Sequence, residues 1–285
     1  MRLGAPRAEA ALKMLDRIYK LALDGLRQGG SPGGMSKWAR RAACGKKYLV
    51  WQANNHYDGR HEPFADERNG TRLDHLMVGT IYHVLHEYAH EMPAQTVWDA
   101  RAIAYTPELK EALRLYWAYV QAFGSLAKRW SIRDLQFEVA LEGAPELFNG
   151  ELVTGRMDAY GFIAEADAQR LELPGEGHYV FDFKTSSKAK DVYTGTPQAK
   201  AYMALAQLQF PEHNVRGMVF DQVVKEAKPE FHHYISLPDA GDLAFIQGLV
   251  AQGARNVSVP GGRCNAKEEM KVYGGCRCPP EGTFE

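Results

Sequence analysis

Residues 151–163, ELVTGRMDAYGFI, and residues 178–184, HYVFDFK, decide how this chain is read. Each run is rich in β-branched and aromatic residues and bounded by turn-forming ones, the pattern of a strand. Gly175 and Gly177 turn the chain between them. Asp158 lies late in the first predicted strand, and Asp182 falls at the end of the second, 24 residues later. A hairpin brings the two carboxylates to one edge of a sheet. Two carboxylates at one point repel, and a divalent cation relieves that repulsion. Mg²⁺ and Mn²⁺ prefer oxygen donors: carboxylates, backbone carbonyls and water. Lys184 stands two residues beyond Asp182 and so shares its strand face. From there its ammonium can orient a water, or help deprotonate it, for attack on a phosphodiester. The carbonyl of Phe183, between the two, is a further candidate metal ligand.

Outward from this pair, residues 135–142 (LQFEVALE) alternate as a strand that precedes the other two. Helical spacing is seen over 8–28, 73–90, 107–130, 196–210 and 241–254. Ser36 is placed to cap a short helix before Cys44. Residues 52–71 are polar and read as a loop. Residues 215–225 and 230–237 are strand-like. The order helix, three strands, helix, strand predicts an α/β fold, a mixed central sheet flanked by helices. The expected organisation is one domain over 1–285. It comprises a helical, Cys-bearing segment (1–70), a core (71–237) with a helical insertion at 93–130, and a C-terminal helix and Cys-rich tail (238–285).

Composition sets limits without deciding the function. Of 285 residues, 45% are hydrophobic and 24% charged, as in ordinary globular domains. The net charge of −1 lends no global support to nucleic-acid binding, although basic residues can still be concentrated locally. No long apolar run and no signal-peptide pattern appears, which predicts a cytoplasmic protein with no membrane partner. A Walker A motif is absent, so any ATP-driven motor is another chain.

Two more stretches join the site. In GTIYHVLHEYAHE (79–91), His83 and Glu87 stand i, i+4 on one helix face. His83 can complete a metal shell, with His75, His86 and His90 as its competitors. Gln198 and Tyr202 repeat the i, i+4 spacing on a later helix, from which they can hold DNA or water at the same centre. Taken singly, each feature has a bland reading. Asp158 is then a turn residue, Asp182 a strand-edge charge, Glu87 and Glu138 solvated charges, and Tyr202 part of the core.

Together, G-T-x-x-H, G-R-x-D, D-F-K-T-S and Q-A-x-x-Y resemble the RecB-type branch of the PD-(D/E)XK nuclease superfamily, over roughly residues 36–225. The resemblance implies a restriction-endonuclease-like core and a DNA exonuclease acting on single strands or ends with Mg²⁺ or Mn²⁺. It implies His83, Asp158, Asp182 and Lys184 as the catalytic set, with Gln198 and Tyr202 as the trailing helix motif. It also implies partners among helicases, recombinases or CRISPR-adaptation proteins. A catalytically silent DNA-end-binding scaffold subunit is the alternative.

Some relatives place one cysteine before the core and three after it, holding a [4Fe–4S] cluster. Cys44, Cys264, Cys276 and Cys278 follow that order, but the C-x11-C-x-C spacing departs from the CxxC of the pattern. A zinc site or simply buried thiols are the other readings. Lys184, Lys188, Lys190 and Lys200, with Arg40, Arg41, Lys46 and Lys47, suggest a DNA path. Trp38, Tyr48 and Trp51 either stack on bases or pack in the core.

Overall fold

The computed structural model describes residues 4–28, 38–39, 42, 74–90, 92–189 and 191–258. Helices α1 (Ala5–Gln28), α2 (His75–Tyr88), α3 (Ala94–Ile103), α4 (Pro107–Phe123) and α5 (Leu126–Trp130) come first. Strands β1 (Arg133–Glu142) and β2 (Thr154–Ile163) follow, then the short helix α6 (Glu165–Arg170) and strand β3 (Gly177–Ser186). The chain continues through α7 (Pro197–Gln209), β4 (Val215–Val224), β5 (Glu230–Ser236) and α8 (Asp242–Ser258).

Local chemistry sets the helix starts. The Asp74 carboxylate accepts from the N–H groups of Leu76 and Met77 at 2.9 and 3.1 Å, capping α2. Thr106 and Thr196 cap α4 and α7, each followed by proline at the first helical position. The expected continuous helix over 107–130 is two helices. Gly124, at φ 81°, ends α4, and Ser125 caps α5 by accepting from Lys128 N–H at 3.2 Å.

Among the described residues the strands form one mixed sheet in the order β1-β2-β3-β4-β5. β1, β2 and β3 are antiparallel neighbours, β3 and β4 are parallel, and β5 is antiparallel to β4. A parallel pair needs a crossover, and α7 supplies it. Strands β3 and β4 are buried along most of their length because helices cover both faces. One core lies against α1, α2 and α4 and includes Ala159, Phe181 and Phe183. The other lies against α7 and α8 and includes Met157, Val180 and Phe220. Phe181 and Phe183 are at most 1% exposed, and burying each contributes roughly 1.5–3 kcal/mol. The expected α/β fold, a mixed sheet flanked by helices, is what the chain forms.

Beside the site, the strands depart from simple alternation. Phe137 packs into the α1/α2 core, yet Val139, two residues on, packs into the α7/α8 core. On β2, Ala159 and Met157 divide in the same way. Glu138 and Asp158 stand opposite each other at this change of face, by the pairings Phe137↔Ala159 and Val139↔Met157. Glu138 adopts φ 53°, which re-aims the chain and is sterically costly for a residue with a Cβ.

Candidate active site

The ladder between β2 and β3 ends at Ala159↔Phe181, and beyond it the two strands fork. Asp158 and Asp182 therefore sit mid-strand at a fork, rather than at strand ends joined by a hairpin. The connection between their strands carries α6, whose six residues are too short to stand out as a helical period. Within the fork, Asp158 Oδ2 accepts from the Phe183 N–H at 2.7 Å. A carboxylate thus takes the place of the missing neighbour strand. His83 Nδ1 of α2 lies 3.3 Å from the same oxygen. The N–H and C=O of a strand residue project to the same side, so the Phe183 carbonyl also faces the fork.

Asp182 is buried at 2% exposure and points toward α7. Its Oδ1 accepts from Gln198 Nε2 at 3.0 Å. Its Oδ2 ion-pairs with the Lys184 ammonium but makes no well-formed hydrogen bond. The i, i+2 expectation for Asp182 and Lys184 therefore matches the geometry. The Lys184 ammonium also stands over the rings of Tyr193 and Phe220, at 5.7 and 5.9 Å from their centroids.

Two glycines of the motifs make room for this arrangement. A Cβ at Gly155 would lie 2.8 Å from Tyr202 Cε1, so β2 lets the tyrosine ring approach only because residue 155 has no side chain. A Cβ at Gly79 would lie 3.2 Å from Thr185 Oγ1, tighter than ordinary contact, where α2 crosses the end of β3.

The charges are strongly perturbed. Burial raises the Asp182 carboxyl, and Asp158 adds to the rise against the pull of Lys184. Burial also pushes Asp158 up, but His83, Lys184 and the Phe183 N–H together bring it below the ordinary carboxylate range. Desolvation acts to lower His83, and the Asp158 and Asp182 charges outweigh it and raise the imidazole. Lys184 is likewise opposed by burial and lifted by Asp182 and Asp158, so it stays an ammonium. Burial and the two carboxylates push the Tyr202 phenol up to about 12. Burial and the closeness of like charges thus perturb both carboxylates.

A cavity of about 620 Å³ opens on this group, lined by His83, Glu87, Glu138, Arg156, Asp158 and Lys184. A second cavity, of about 700 Å³, lies between residues 192–197 and α8, and among the described residues no titratable side chain lines it. Burial lifts Glu138 to about 7, with Asp158 and Glu87 adding to the rise against Arg156. Arg156 and Glu138 pair at 2.6 Å; the sequence reading assigned Arg156 no role, although it stands inside the G-R-x-D run.

Other candidates fall elsewhere. His86 is enclosed by Tyr82, Tyr116, Tyr119 and Phe183, and His90 lies against Phe137, so neither replaces His83. Trp38 is 2% exposed and donates to the Leu152 carbonyl at 3.0 Å, a core residue rather than a base-stacking one. Lys200 pairs with Asp242 at 2.6 Å, so it and Lys184 are not open members of a basic strip. Gln198 holds Asp182, whereas the sequence placed it on DNA or water. Cys44, Cys264, Cys276 and Cys278 lie outside the described residues, as do Ser36, Arg40, Arg41, Lys46, Lys47, Tyr48, Trp51 and Lys190.

Among the described residues no group of three or more His, Cys, Asp or Glu side chains is drawn together as a metal cage. The donor chemistry nevertheless fits a hard divalent cation. Asp182 Oδ2 is buried against the Lys184 ammonium, Asp158 lies across the fork, and a backbone carbonyl and an imidazole adjoin them.

No protein-family model matches the sequence, and no curated protein matches it. Among solved structures, the chain is similar to a "Putative exonuclease" from Eubacterium rectale at 14% identity. The match covers 87% of this chain and 90% of that one, with a TM-score of 0.46. That likeness is too slight to define a common fold. Among the described residues no helix is long and apolar enough to cross a membrane.

Proposed function

We propose that the chain is a metal-dependent nuclease of the PD-(D/E)XK kind, one nuclease domain that hydrolyses phosphodiester bonds in DNA. The observation that carries this reading is the fork, where Asp158, Asp182 and Lys184 meet with His83 and Gln198 attached. A purely structural role does not call for a buried carboxylate, a second half-buried one and an ammonium beside an open cavity.

In this reading His83, Asp158, Asp182 and the Phe183 carbonyl hold Mg²⁺ or Mn²⁺. The ion supplies Lewis-acid stabilisation of the charge that develops on the phosphate. Gln198 fixes the rotamer of Asp182. Lys184, paired with Asp182, orients the attacking water or helps to deprotonate it, and offsets phosphate charge. Tyr202 closes the α7 side. Action on single strands or DNA ends as an exonuclease, and work beside a helicase, recombinase or CRISPR-adaptation protein, follow from the motif resemblance.

A [4Fe–4S] cluster held by Cys44, Cys264, Cys276 and Cys278 follows from the motif resemblance. The Ala42 carbonyl, two residues before Cys44, accepts from Asn256 Nδ2 at 2.7 Å and Gln252 Nε2 at 3.4 Å. Anaerobically purified protein is then brown and contains iron; colourless, iron-free protein that is folded and active removes the cluster.

The site itself is tested with Asp182→Ala. Cleavage is expected to vanish while the fold and DNA binding persist. Wild-type cleavage rates in that variant refute the site. Wild-type protein that binds DNA but cuts it with no divalent metal supports the scaffold alternative.

A further inference from the structure

We infer that Arg156 is the residue that grips a backbone phosphate of the substrate, with Glu138 as its holder. The inference rests on the nuclease reading above and adds a substrate-binding residue to it. Arg156 stands two residues before Asp158 on β2 and lines the same cavity as His83 and Lys184. The change of face at Glu138 and Asp158 decides this placement. On this side of the change, Val139 and Met157 turn toward α7 and α8. Arg156, next to Met157, then turns the opposite way, toward the cavity under α1 and α2.

Among the cavity's cationic groups, Lys184 is engaged with buried Asp182, and His83 with Asp158. The Arg156 side chain is 59% exposed, so its charge is presented to whatever enters. Its Nε meets Glu138 Oε2 at 2.6 Å. A contact through Nε leaves the terminal Nη pair as a fork of N–H donors, the geometry that matches two phosphate oxygens. Glu138 lies diagonally across the β1–β2 pair, within reach of a long side chain. Its φ of 53° is a strain that ordinary strand pairing does not require, and here it aims the carboxylate at Arg156. The chemistry recognised is a singly charged phosphodiester, one per Arg156.

The test is equilibrium binding of a fluorescent single-stranded oligonucleotide, followed by anisotropy over a salt series. It is run in EDTA and again with Ca²⁺, so that cutting plays no part. Each phosphate contact contributes about 0.7 to the slope of log K against log salt on single strands. Arg156→Gln is expected to weaken binding roughly 10- to 100-fold and to reduce the slope by about 0.7. Arg156→Lys keeps the charge and the slope but loses affinity, because an ammonium has no fork. Arg170→Gln, removing a similarly exposed arginine on α6 at the other end of β2, leaves both unchanged. Wild-type slope and affinity in Arg156→Gln overturn the inference and leave the nuclease reading standing. So does an equal slope change in Arg170→Gln. Wild-type protein that binds no DNA in either condition overturns both.

Discussion

Replacing Asp221 with alanine should destabilise the protein more than any single change at the candidate site. Asp221 lies on β4 opposite Phe183 and is 3% exposed. Its Oδ1 receives Arg129 at 2.6 Å, and its Oδ2 receives the Tyr119 hydroxyl at 3.1 Å and the Trp130 indole N–H at 3.0 Å. The Arg129 side chain is only 8% exposed and is stacked on Phe123 and Trp130. Alanine leaves that guanidinium buried without its counter-charge, which typically costs about 3–5 kcal/mol. Two further donors lose their acceptor, at about 1 kcal/mol each. Partial relaxation makes about 4–6 kcal/mol the reasonable expectation, a large part of a typical stability of about 5–15 kcal/mol. The measurement is urea and thermal unfolding of wild type, Asp221→Ala, Arg129→Met and the double variant. A loss of this size lowers the midpoint by roughly 10 °C or more. The double variant should lose much less than the sum of the singles, because each single strands the partner of the other. A single-variant loss below about 2 kcal/mol, or strict additivity, refutes this account of how α4 and α5 are anchored to the sheet.

Gln198→Ala should lower cleavage roughly 10- to 100-fold, as loss of an orienting partner does, and cost about 1–3 kcal/mol of stability because buried Asp182 loses a donor; an unaltered rate removes Gln198 from the site. His86 carries a pH prediction. Burial depresses its imidazole well below 6.5, and its Nε2 has no hydrogen-bond partner among the described residues. As pH falls below about 6.5 the unfolded chain takes a proton that the native state refuses. Stability therefore falls with acidification, by at most about 1.4 kcal/mol per pH unit from this residue. His86→Leu should flatten unfolding midpoints measured between pH 7 and 5; an unchanged slope contradicts it.

The fold class was legible because the strands over 151–163 and 178–184 and the helices around them carry strong periodic signals. The helical period of 107–130 runs on across the break between α4 and α5, although Gly124 and Ser125 form a stop-and-start pair visible in the sequence. The face change at Glu138 was not legible. Strict alternation is the sequence signature of a strand, and a left-handed residue within one breaks it without any compositional mark, least of all when that residue is glutamate. For the same reason simple alternation does not reveal that the Arg156 side chain turns into the cavity. Asp158, Asp182, Lys184 and His83 were legible as a set, whereas the partner of Gln198 was not. An i, i+4 spacing gives a helix face but not the carboxylate it meets across a 16-residue separation. The glycines at 79 and 155 stood in the motifs without a reason until Thr185 and Tyr202 supplied one.

The most direct test of the central claim is a nuclease assay on end-labelled single- and double-stranded DNA, with Mg²⁺, Mn²⁺ or EDTA, comparing wild type and Lys184→Ala. Metal-dependent cleavage that EDTA abolishes and the variant lacks is the predicted result. Cleavage that survives EDTA, or a Lys184→Ala variant as active as wild type, contradicts the account.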